Sequence, residues 1–433
     1  MPGKIQNFKQ LATTELRQAL LEIIEAGLEA IDTKDVVRSE ISLNGDELKI
    51  ADHRYSLEKI RNLYVFGAGK CVLEAAEVLE EILGDRLTGG FIIDVRVPAR
   101  HSLRKIKCIE GTHPLPSAVN VKASKRMLKE LKGLGEEDFV LFVISGGGSA
   151  LLCLPQNGKD YRKEISIQKA LAERGAEIEE LNTVRKHLSL VRGGYLAEYV
   201  HPARAVSVIF SDVPGNELDF VASGPTVKDE TTVADAGDVV RKYGIEEYIH
   251  PDASQFIETP KENKYFMNVD NIMLISNERA LKAMVKKARD LGYKPTVVTD
   301  NLTGEARNVA LKIVQELHSC ASKTVLLYGG ETTVTILTKG EGGRNRELVL
   351  SALQAVKRDE GLASVASDGR DNGQSAGAIA DSETLQHAAA HQLDIERHLN
   401  GNQSAKFFKK TGDDIMTGDT GSNISDLVIA VKN

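Results

Sequence analysis

Short apolar runs alternate with stretches of helical periodicity along most of the 433-residue chain. Runs without polar alternation are typical of strands in a parallel sheet that helices cover on both faces. The pattern therefore predicts an α/β fold. In the first half, strands are predicted at 63–66, 91–95, 139–144 and 205–210, with helices at 70–83, 119–133 and 183–200.

A leading helix and a second alternation complete the predicted organisation. Apolar residues at three- and four-residue spacing predict a helix over 9–31. Residues 228–270 are polar and irregular, which is typical of a domain joint. We therefore expect two α/β domains with a cleft between them, residues 1–245 and 265–433. In the second domain, strands are predicted near 272–276, 295–299, 324–328, 362–366 and 426–431, with helices near 277–291, 304–318, 344–357 and 381–398.

Composition excludes several classes of protein. Lys plus Arg is 55 against 62 for Asp plus Glu, and no basic block stands out, so we expect no nucleic-acid partner. The sequence has neither a secretory signal nor an apolar stretch of bilayer length, so we expect a cytoplasmic protein without a membrane partner. Four separated cysteines predict neither disulfides nor a zinc site.

Ligands of open α/β sheets bind beyond the carboxyl ends of the strands. After the first run come Gly67, Ala68, Gly69 and Lys70, where a following helix offers N–H groups to an anion and Lys70 adds a positive charge. The alternative is a plain strand-to-helix turn with a solvated lysine, because Val72 interrupts a dinucleotide fingerprint.

Two more loops of the first half are candidates for ligand binding. Three glycines in Ser145, Gly146, Gly147, Gly148 and Ser149 indicate a backbone nest for a phosphate or carboxylate, with a flexible turn as the alternative. Asp212 follows a strand and could orient a hydroxyl group, bind a metal ion or cap a helix.

The second half carries comparable loops. Glu331 follows a Gly-Gly pair, while Asp368 and Asn423 lie in glycine-bearing loops. Arg344, Asn345 and Arg346 open a predicted helix, where two arginines would repel the helix dipole unless an anion lies there. The motif indicates a bound anionic ligand.

Other basic and imidazole groups leave two interpretations open. His113 in GTHPLP either faces a ligand or belongs to a rigid turn, and Arg185, Lys186 and Arg192 either line the cleft or cover a helix. His387 and His391 are spaced like zinc ligands, but the intervening residues lack the glutamate of a metalloprotease helix. That pair is interpreted as an exposed polar face.

Taken in order, nine motifs between residues 65 and 427 resemble the glycerate 2-kinase family, whose C-terminal part is the MOFRL domain. The resemblance implies a larger N-terminal Rossmann-like domain and a smaller C-terminal α/β domain, with the active site in the interdomain cleft. It also implies transfer of the ATP γ-phosphoryl group to the 2-hydroxyl of D-glycerate, with Mg²⁺. The motifs are VFGAGK, GTHPLP, ISGGGSALL, LNTVRKHLSLVRGG, SDVPGN with ASGPT, YGGETTVT, GGRNRE, ASDGRDNGQSAGA and TGSNISDL.

Site roles follow from the resemblance together with the chemistry of phosphoryl transfer, which needs positioning and positive charge. Lys70 and Arg344 are expected to neutralise the transferred group, and Asp212 to accept the hydroxyl proton or hold Mg²⁺. Asp368 is a second metal candidate. The expected substrate- or nucleotide-binding residues are Gly67, Gly69, Ser145, Gly146, Gly147, Gly148, Ser149, Glu331, Asn345, Asp368 and Asn423.

The two alternative functions are a hydroxypyruvate reductase and a ligand sensor. A hydroxypyruvate reductase using NAD(P)H would need an acidic residue some 20 positions after its glycine loop, and Asp94 lies 25 residues beyond Gly69. A sensor of sugar acids or nucleotides would not need the transition-state charges. The oligomeric state, including a homo-oligomer, is left open by the sequence.

Overall fold

The computed structural model describes residues 3–156, 161–213, 217–250 and 256–433. These residues form two compact units. The C-terminal unit consists of residues 3–32, Val213 and residues 275–433, and the N-terminal unit consists of the other described residues. Residues 214–216 of the SDVPGN motif and residues 251–255 of the predicted joint lie outside the described residues.

The described helices and strands follow one another in an α/β order. The helices are α1 Phe8–Leu11, α2 Glu15–Ala30, α3 Thr33–Glu40, α4 Val72–Leu83, α5 Ala118–Leu131, α6 Gly148–Leu151, α7 Tyr161–Glu173, α8 Ile178–Lys186, α9 Tyr195–Val200, α10 Val233–Tyr243, α11 Asn277–Asp290, α12 Ala306–His318, α13 Arg344–Ala352, α14 Ser382–Ala390, α15 Ile395–Asn400 and α16 Ser404–Thr411. The strands are β1 Ile41–Asn44, β2 Glu47–Ile50, β3 His53–Ser56, β4 Asn62–Ala68, β5 Leu87–Asp94, β6 Ile106–Glu110, β7 Asp138–Ser145, β8 Arg204–Phe210, β9 Val269–Ile275, β10 Lys294–Leu302, β11 Thr324–Gly330, β12 Glu360–Val365, β13 Gly377–Ala380, β14 Asp414–Ile415 and β15 Asp426–Lys432.

The N-terminal unit is built on a six-stranded sheet of order β6-β5-β4-β7-β8-β9. The pairs from β6 through β8 are parallel, and every residue of β7 is buried. Numbered from β4, this order is the 3-2-1-4-5-6 of a doubly wound Rossmann sheet. The predicted parallel α/β sheet is confirmed. A small antiparallel sheet of β1, β2 and β3, which the apolar runs did not predict, belongs to the same unit.

Two local predictions for this part of the chain differ from the structure. The run predicted at 272–276 to open the second domain is β9, which instead lies at the edge of the N-terminal sheet beside β8. The helix predicted over 183–200 is two helices, α8 and α9. The chain turns between them, where Gly193 and Gly194 have φ values of +55° and +89° that glycine adopts readily.

The C-terminal unit has a mixed sheet of order β10-β11-β15-β12-β13-β14. The β10–β11 pair is parallel, while β15 is antiparallel to both β11 and β12. The carboxyl ends of β11 and β12 therefore meet at the edge where β15 begins. The helix predicted at 344–357 ends at Ala352, and the helix predicted at 381–398 is divided into α14 and α15.

The leading helix α2 belongs to the C-terminal unit, which differs from the predicted limits of 1–245 and 265–433. It packs on α11 and on the sheet strands β12 and β15. The fit is close, because a Cβ added to Gly27 would lie 2.8 Å from Cγ of Met284.

Each unit has its own apolar core. Phe66, Phe91 and Phe142 are buried in the N-terminal sheet, and Phe407 and Phe408 are buried with residues of α12 and α13 in the C-terminal unit. Within the described part of the chain, no helix has the length and apolar composition needed to cross a bilayer.

Candidate functional site

The N-terminal unit brings two of the predicted glycine loops together at its topological switch point. Strands β4 and β7 are neighbours, and the strands that follow them, β5 and β8, lie toward opposite edges of the sheet. Such a point, beyond the carboxyl ends of the strands, is where doubly wound sheets bind ligands. Residues 67–70 follow β4 and residues 145–149 follow β7, so the structure brings both loops to this position.

The two loops touch through their backbones. Lys70 N donates a hydrogen bond to Gly146 O at 3.0 Å. Gly69 has a φ of +153°, and a Cβ there would lie 1.9 Å from Ser145 Oγ, while a Cβ on Gly67 would lie 2.6 Å from Val143 O. Glycine is therefore required at 67 and 69 by packing within the protein.

The side chains of Lys70 and His113 both lie close to Gly147. A Cβ added to Gly147 would lie 3.0 Å from Cγ of Lys70 and 3.2 Å from Cδ2 of His113. Lys70 is half-buried and His113 is exposed. Of the two interpretations of GTHPLP, the structure favours the one in which His113 belongs to the site. The strand that precedes it, β6, was not among the predicted strands.

The start of α4 has an internal anion. Oδ2 of the buried Asp94 accepts a hydrogen bond from Leu73 N at 2.9 Å, and its Oδ1 accepts one from Arg96 N at 3.1 Å. Burial raises the pKa of Asp94 to about 6 despite these hydrogen bonds. The expectation that this helix start offers its N–H groups to a ligand is wrong for Leu73, because a side chain from the end of β5 already binds there.

A series of hydrogen bonds supports the 145–149 loop. Ser149 Oγ lies 2.9 Å from Ser223 Oγ, which also contacts Asn182 Oδ1 at 2.9 Å. The fully buried Arg192 pairs with Glu164 at 2.7 Å and donates to the carbonyl oxygen of Ser149. The LNTVRKHLSLVRGG and ASGPT motifs therefore hold the glycine loop in place, a role that sequence reasoning missed for Asn182, Arg192 and Ser223.

Asp212 follows the next strand of the same sheet. Strand β8 is parallel to β7, with Phe210 paired to Ser145, so Asp212 lies two residues beyond that pair at the carboxyl edge. It is half-buried, whereas Ser211 beside it is buried. The sheet register thus brings Asp212 to the same edge as the 145–149 loop.

In the C-terminal unit, Arg344 lies between two acidic side chains. It donates to Glu331 Oε2 at 2.8 Å and to both carboxylate oxygens of Asp426, with Nη2 to Oδ1 at 3.1 Å. Burial alone would lower the pKa of Arg344, but Asp426 and Glu331 more than offset it and raise that pKa. Asp426 begins β15 beside the end of β11.

The start of α13 also has an anion of its own. Asp371 accepts hydrogen bonds from Asn345 N at 3.0 Å and from Arg346 N at 2.9 Å, and its Oδ2 pairs with Arg346 Nε at 3.0 Å. The two arginines were expected to indicate a bound ligand. The prediction that an anion lies at this helix start is correct, but the anion is a carboxylate of the protein.

The remaining predicted residues of this unit surround the same sheet edge. Asn345 is buried, and its side chain bonds with Ser364 and Asp371. Asp368 Oδ1 accepts a hydrogen bond from Arg370 N at 2.9 Å, and Asn423 is buried in the loop before β15. The structure thus brings Glu331, Asp368 and Asn423 to one edge, while Asn345 is held within the protein interior.

Comparison with known proteins decides the family. Residues 19–258 match the family described as "Domain of unknown function (DUF4147)", and residues 324–426 match the MOFRL family. The chain is 34% identical to the glycerate 2-kinase of Pyrococcus horikoshii over 96% of this chain and 97% of that protein. The chain belongs to the glycerate kinase family. A crystal structure of the glycerate kinase of Thermotoga maritima has a TM-score of 0.82 at 31% identity, covering 96% of this chain and 99% of that one.

One relative within the glycerate kinase family bears on the alternative function. A protein of Agrobacterium vitis, 33% identical over 95% of this chain and 98% of its own length, is provisionally named a hydroxypyruvate reductase. The acidic residue that a dinucleotide site would use here is Asp94, which is 1% exposed and occupied at the start of α4. Because this carboxylate is buried and already accepts two backbone N–H groups, it is poorly exposed to a ribose hydroxyl, and the geometry disfavours a nicotinamide site at this loop.

Proposed function

We propose that this chain is a glycerate 2-kinase, which transfers the γ-phosphoryl group of ATP to the 2-hydroxyl of D-glycerate and releases 2-phospho-D-glycerate and ADP. The observation that carries the proposal is the contact of Lys70 with Gly147 at the switch point of a Rossmann sheet. Full-length similarity to the Pyrococcus horikoshii glycerate 2-kinase supports the same reaction.

Lys70 is proposed to neutralise charge on the transferred phosphoryl group. Phosphoryl transfer spreads negative charge over the equatorial oxygens, and fixed cations lower the barrier because they need no reorganisation. The backbone contacts of Gly69 and Lys70 with the 145–149 loop support this role. They fix the backbone from which the ammonium group extends.

Asp212 is proposed to accept the proton of the 2-hydroxyl. In the reaction the hydroxyl oxygen forms a bond to the γ-phosphorus, and the bond from that phosphorus to the ADP oxygen breaks. A carboxylate near the hydroxyl takes the proton as the new bond forms. The position of Asp212 at the carboxyl edge, two residues beyond the partner of Ser145, supports this assignment.

Arg344 is the proposed anion-binding group of the C-terminal unit. Its fork already binds carboxylate oxygens of Glu331 and Asp426, which is the geometry that also suits phosphate oxygens. We propose that phosphate oxygens take the place of Glu331, the more exposed of the two partners, while Asp426 keeps the guanidinium oriented.

The acidic residues fit a magnesium ion that arrives with the nucleotide. Among the described residues, no group of three or more His, Cys, Asp or Glu side chains is arranged to hold a metal ion. Mg²⁺ is commonly bound by one or two carboxylates plus substrate phosphates, so single carboxylates suffice. Asp368 is the proposed protein ligand, with Asp212 as the second candidate, and the ion would neutralise phosphate charge.

Product identity tests the proposal. D-glycerate, ATP and Mg²⁺ are incubated with the protein, and phosphoenolpyruvate is measured after addition of enolase, with and without phosphoglycerate mutase. Enolase accepts only 2-phosphoglycerate, so signal without mutase is the expected result. Signal that requires mutase would identify 3-phosphorylation, and no signal in either arm would reject the kinase assignment.

A further inference from the structure

Arg185 lies in the last turn of α8, one turn after Asn182. Residues three apart share a face of a helix. Asn182 Oδ1 accepts a hydrogen bond from Ser223 Oγ, which lies 2.9 Å from Ser149 Oγ. Arg185 is therefore on the helix face that supports the glycine loop at the switch point.

The half-buried side chain of Arg185 has few hydrogen-bond partners for a cation. Within the described residues, its hydrogen bonding is limited to Nη2 with the neutral amide oxygen of Gln168, at 3.3 Å. Its Nε is buried and has no hydrogen-bond partner there. Burying a charged group without a partner is costly, and each unmet donor adds to that cost.

Glu164, the carboxylate whose charge acts on Arg185, already has partners of its own. Glu164 Oε1 pairs with Arg192 at 2.7 Å and accepts from Gln168 Nε2 at 2.8 Å, while its Oε2 faces Cys153 Sγ at 3.4 Å. Arg192 Nη1 also donates to the backbone carbonyl oxygen of Arg185 at 3.2 Å, and the positive charge of Arg192 acts on the Arg185 guanidinium. Burial, and next the charge of Arg192, lower the pKa of Arg185 to about 10, so it remains a cation at neutral pH.

The net charge of this cluster indicates the charge of the anion that it would bind. Arg185 and Arg192 carry one positive charge each and Glu164 one negative charge, which leaves a net charge of +1. A single carboxylate balances that charge, whereas a nucleotide triphosphate carries three to four negative charges. The planar fork of arginine also matches a carboxylate group through paired hydrogen bonds.

We infer that Arg185 binds the carboxylate group of the substrate, and so makes the enzyme specific for a 2-hydroxy acid over a neutral polyol. This inference rests on the proposed function and adds a specificity-determining residue to it. When the substrate carboxylate binds, it accepts hydrogen bonds from this guanidinium, whose Nε has no partner within the described part of the ligand-free protein. Such local conflicts with stability are typical of functional sites.

Arg185→Met tests the inference, with Arg241→Met on the exposed face of α10 as the matched control. We expect KM for D-glycerate to rise roughly thirtyfold to a thousandfold in Arg185→Met, because one partner of a buried charge pair is lost. KM for ATP should not change, and neither constant should change in the control. With D-glyceramide, which has a neutral amide in place of the carboxylate, the two variants should behave like the wild type.

Thermal unfolding separates a binding role from a structural one. Without ligand, Arg185→Met should be at least as stable as the wild type, and D-glycerate should raise the Tm of the wild type but not of this variant. A lower Tm with an unchanged KM for D-glycerate would mean that Arg185 is structural. A rise in KM for ATP alone would assign it to nucleotide phosphates; either result overturns the inference.

A wild type that does not phosphorylate D-glycerate would reject the proposed function, and the carboxylate inference is then decided by binding. Glycolate, D-lactate and D-glycerate should stabilise the wild type against heat and leave Arg185→Met unchanged. Equal stabilisation of both proteins, or of neither, would overturn the inference.

Discussion

Arg344 donates hydrogen bonds to both carboxylate oxygens of Asp426, the first residue of β15. Asp426 lies at this edge because β15 runs antiparallel to β11, which brings the first residue of β15 beside the last residue of β11. This register joins the start of α13 to the sheet edge at which Glu331 and Asp368 lie. An arginine anchored by one carboxylate keeps a fixed direction for its remaining donors, which is the requirement for an electrophilic clamp.

Arg344→Gln should therefore lower kcat about a hundredfold to a thousandfold, since a charged donor to the transferred group is lost. Steady-state kinetics with D-glycerate and ATP measure the effect. Arg397→Gln, at an exposed position of the same unit, should keep the wild-type kcat. Equal kcat values for the two variants would remove Arg344 from the mechanism.

Asp371→Asn should destabilise the C-terminal unit by about 3 kcal/mol, because it breaks a buried pair with Arg346 and weakens the cap on α13. Denaturant unfolding followed by circular dichroism measures this change. The exposed Asp359 provides the matched control, and Asp359→Asn should be within about 0.5 kcal/mol of the wild type. A stable Asp371→Asn variant would argue that the start of α13 is satisfied in another way.

Glu74 should make the free energy of unfolding depend on pH. Burial, and next the charge of Asp94, raise the pKa of Glu74 to about 7 from an ordinary value near 4.5. The folded state therefore holds an extra proton between these values, and its stability falls as pH rises from about 4.5 to about 7. Above that range the charged group continues to destabilise the fold.

Glu74→Gln removes this effect. The free energy of unfolding of the variant should therefore exceed that of the wild type by an amount that grows across that pH range to about 2 kcal/mol at pH 8, allowing for partial exposure. Urea unfolding at a series of pH values measures the difference. Glu81→Gln, on the exposed face of the same helix, should differ from the wild type by a constant amount. A pH-independent difference for Glu74→Gln would contradict the assigned pKa.

Gly69→Ala should abolish most activity, because the new Cβ would lie 1.9 Å from Ser145 Oγ and separate the two glycine loops. Gly135→Ala is its control, since a Cβ there has no neighbour within 4 Å. We expect kcat/KM to fall at least about a hundredfold in Gly69→Ala and to be unchanged in Gly135→Ala. Full activity of Gly69→Ala would show that the loop contact is dispensable.

Strands β4, β5, β7 and β8 of the N-terminal sheet could be predicted because buried parallel strands contain continuous apolar runs, as β7 does at 139–144. Strand β6 was not predicted, since most of its residues are only partly buried or exposed. The sheet that each strand joins could not be predicted in this way. The apolar run of β9 has the same character whichever sheet it joins, and the amphipathic face of α2 does not reveal that it packs on α11. Sheet order and helix packing depend on tertiary contacts, so sequence patterns predicted most of the larger elements and assigned β9 and α2 to the wrong unit.

The residues of the candidate site were likewise predicted only in part. Glycine-bearing loops after apolar runs indicated Lys70 and Asp212 because ligands of such folds bind at strand ends, and a pair of arginines at a helix start indicated Arg344. The internal anions Asp94 and Asp371 were missed, since each lies more than 20 residues from the helix start it caps. From sequence, a helix start that binds a side chain looks the same as one that awaits a ligand.

The most direct measurement of the central claim is kcat for Lys70→Ala, with 2-phosphoglycerate detected by enolase in the absence of mutase. We expect kcat to fall about a hundredfold or more while the circular dichroism spectrum stays unchanged. Lys122→Ala, at an exposed position on α5, should keep wild-type turnover. Near-normal turnover of Lys70→Ala would contradict the proposed role, because the switch-point lysine would then have no part in phosphoryl transfer.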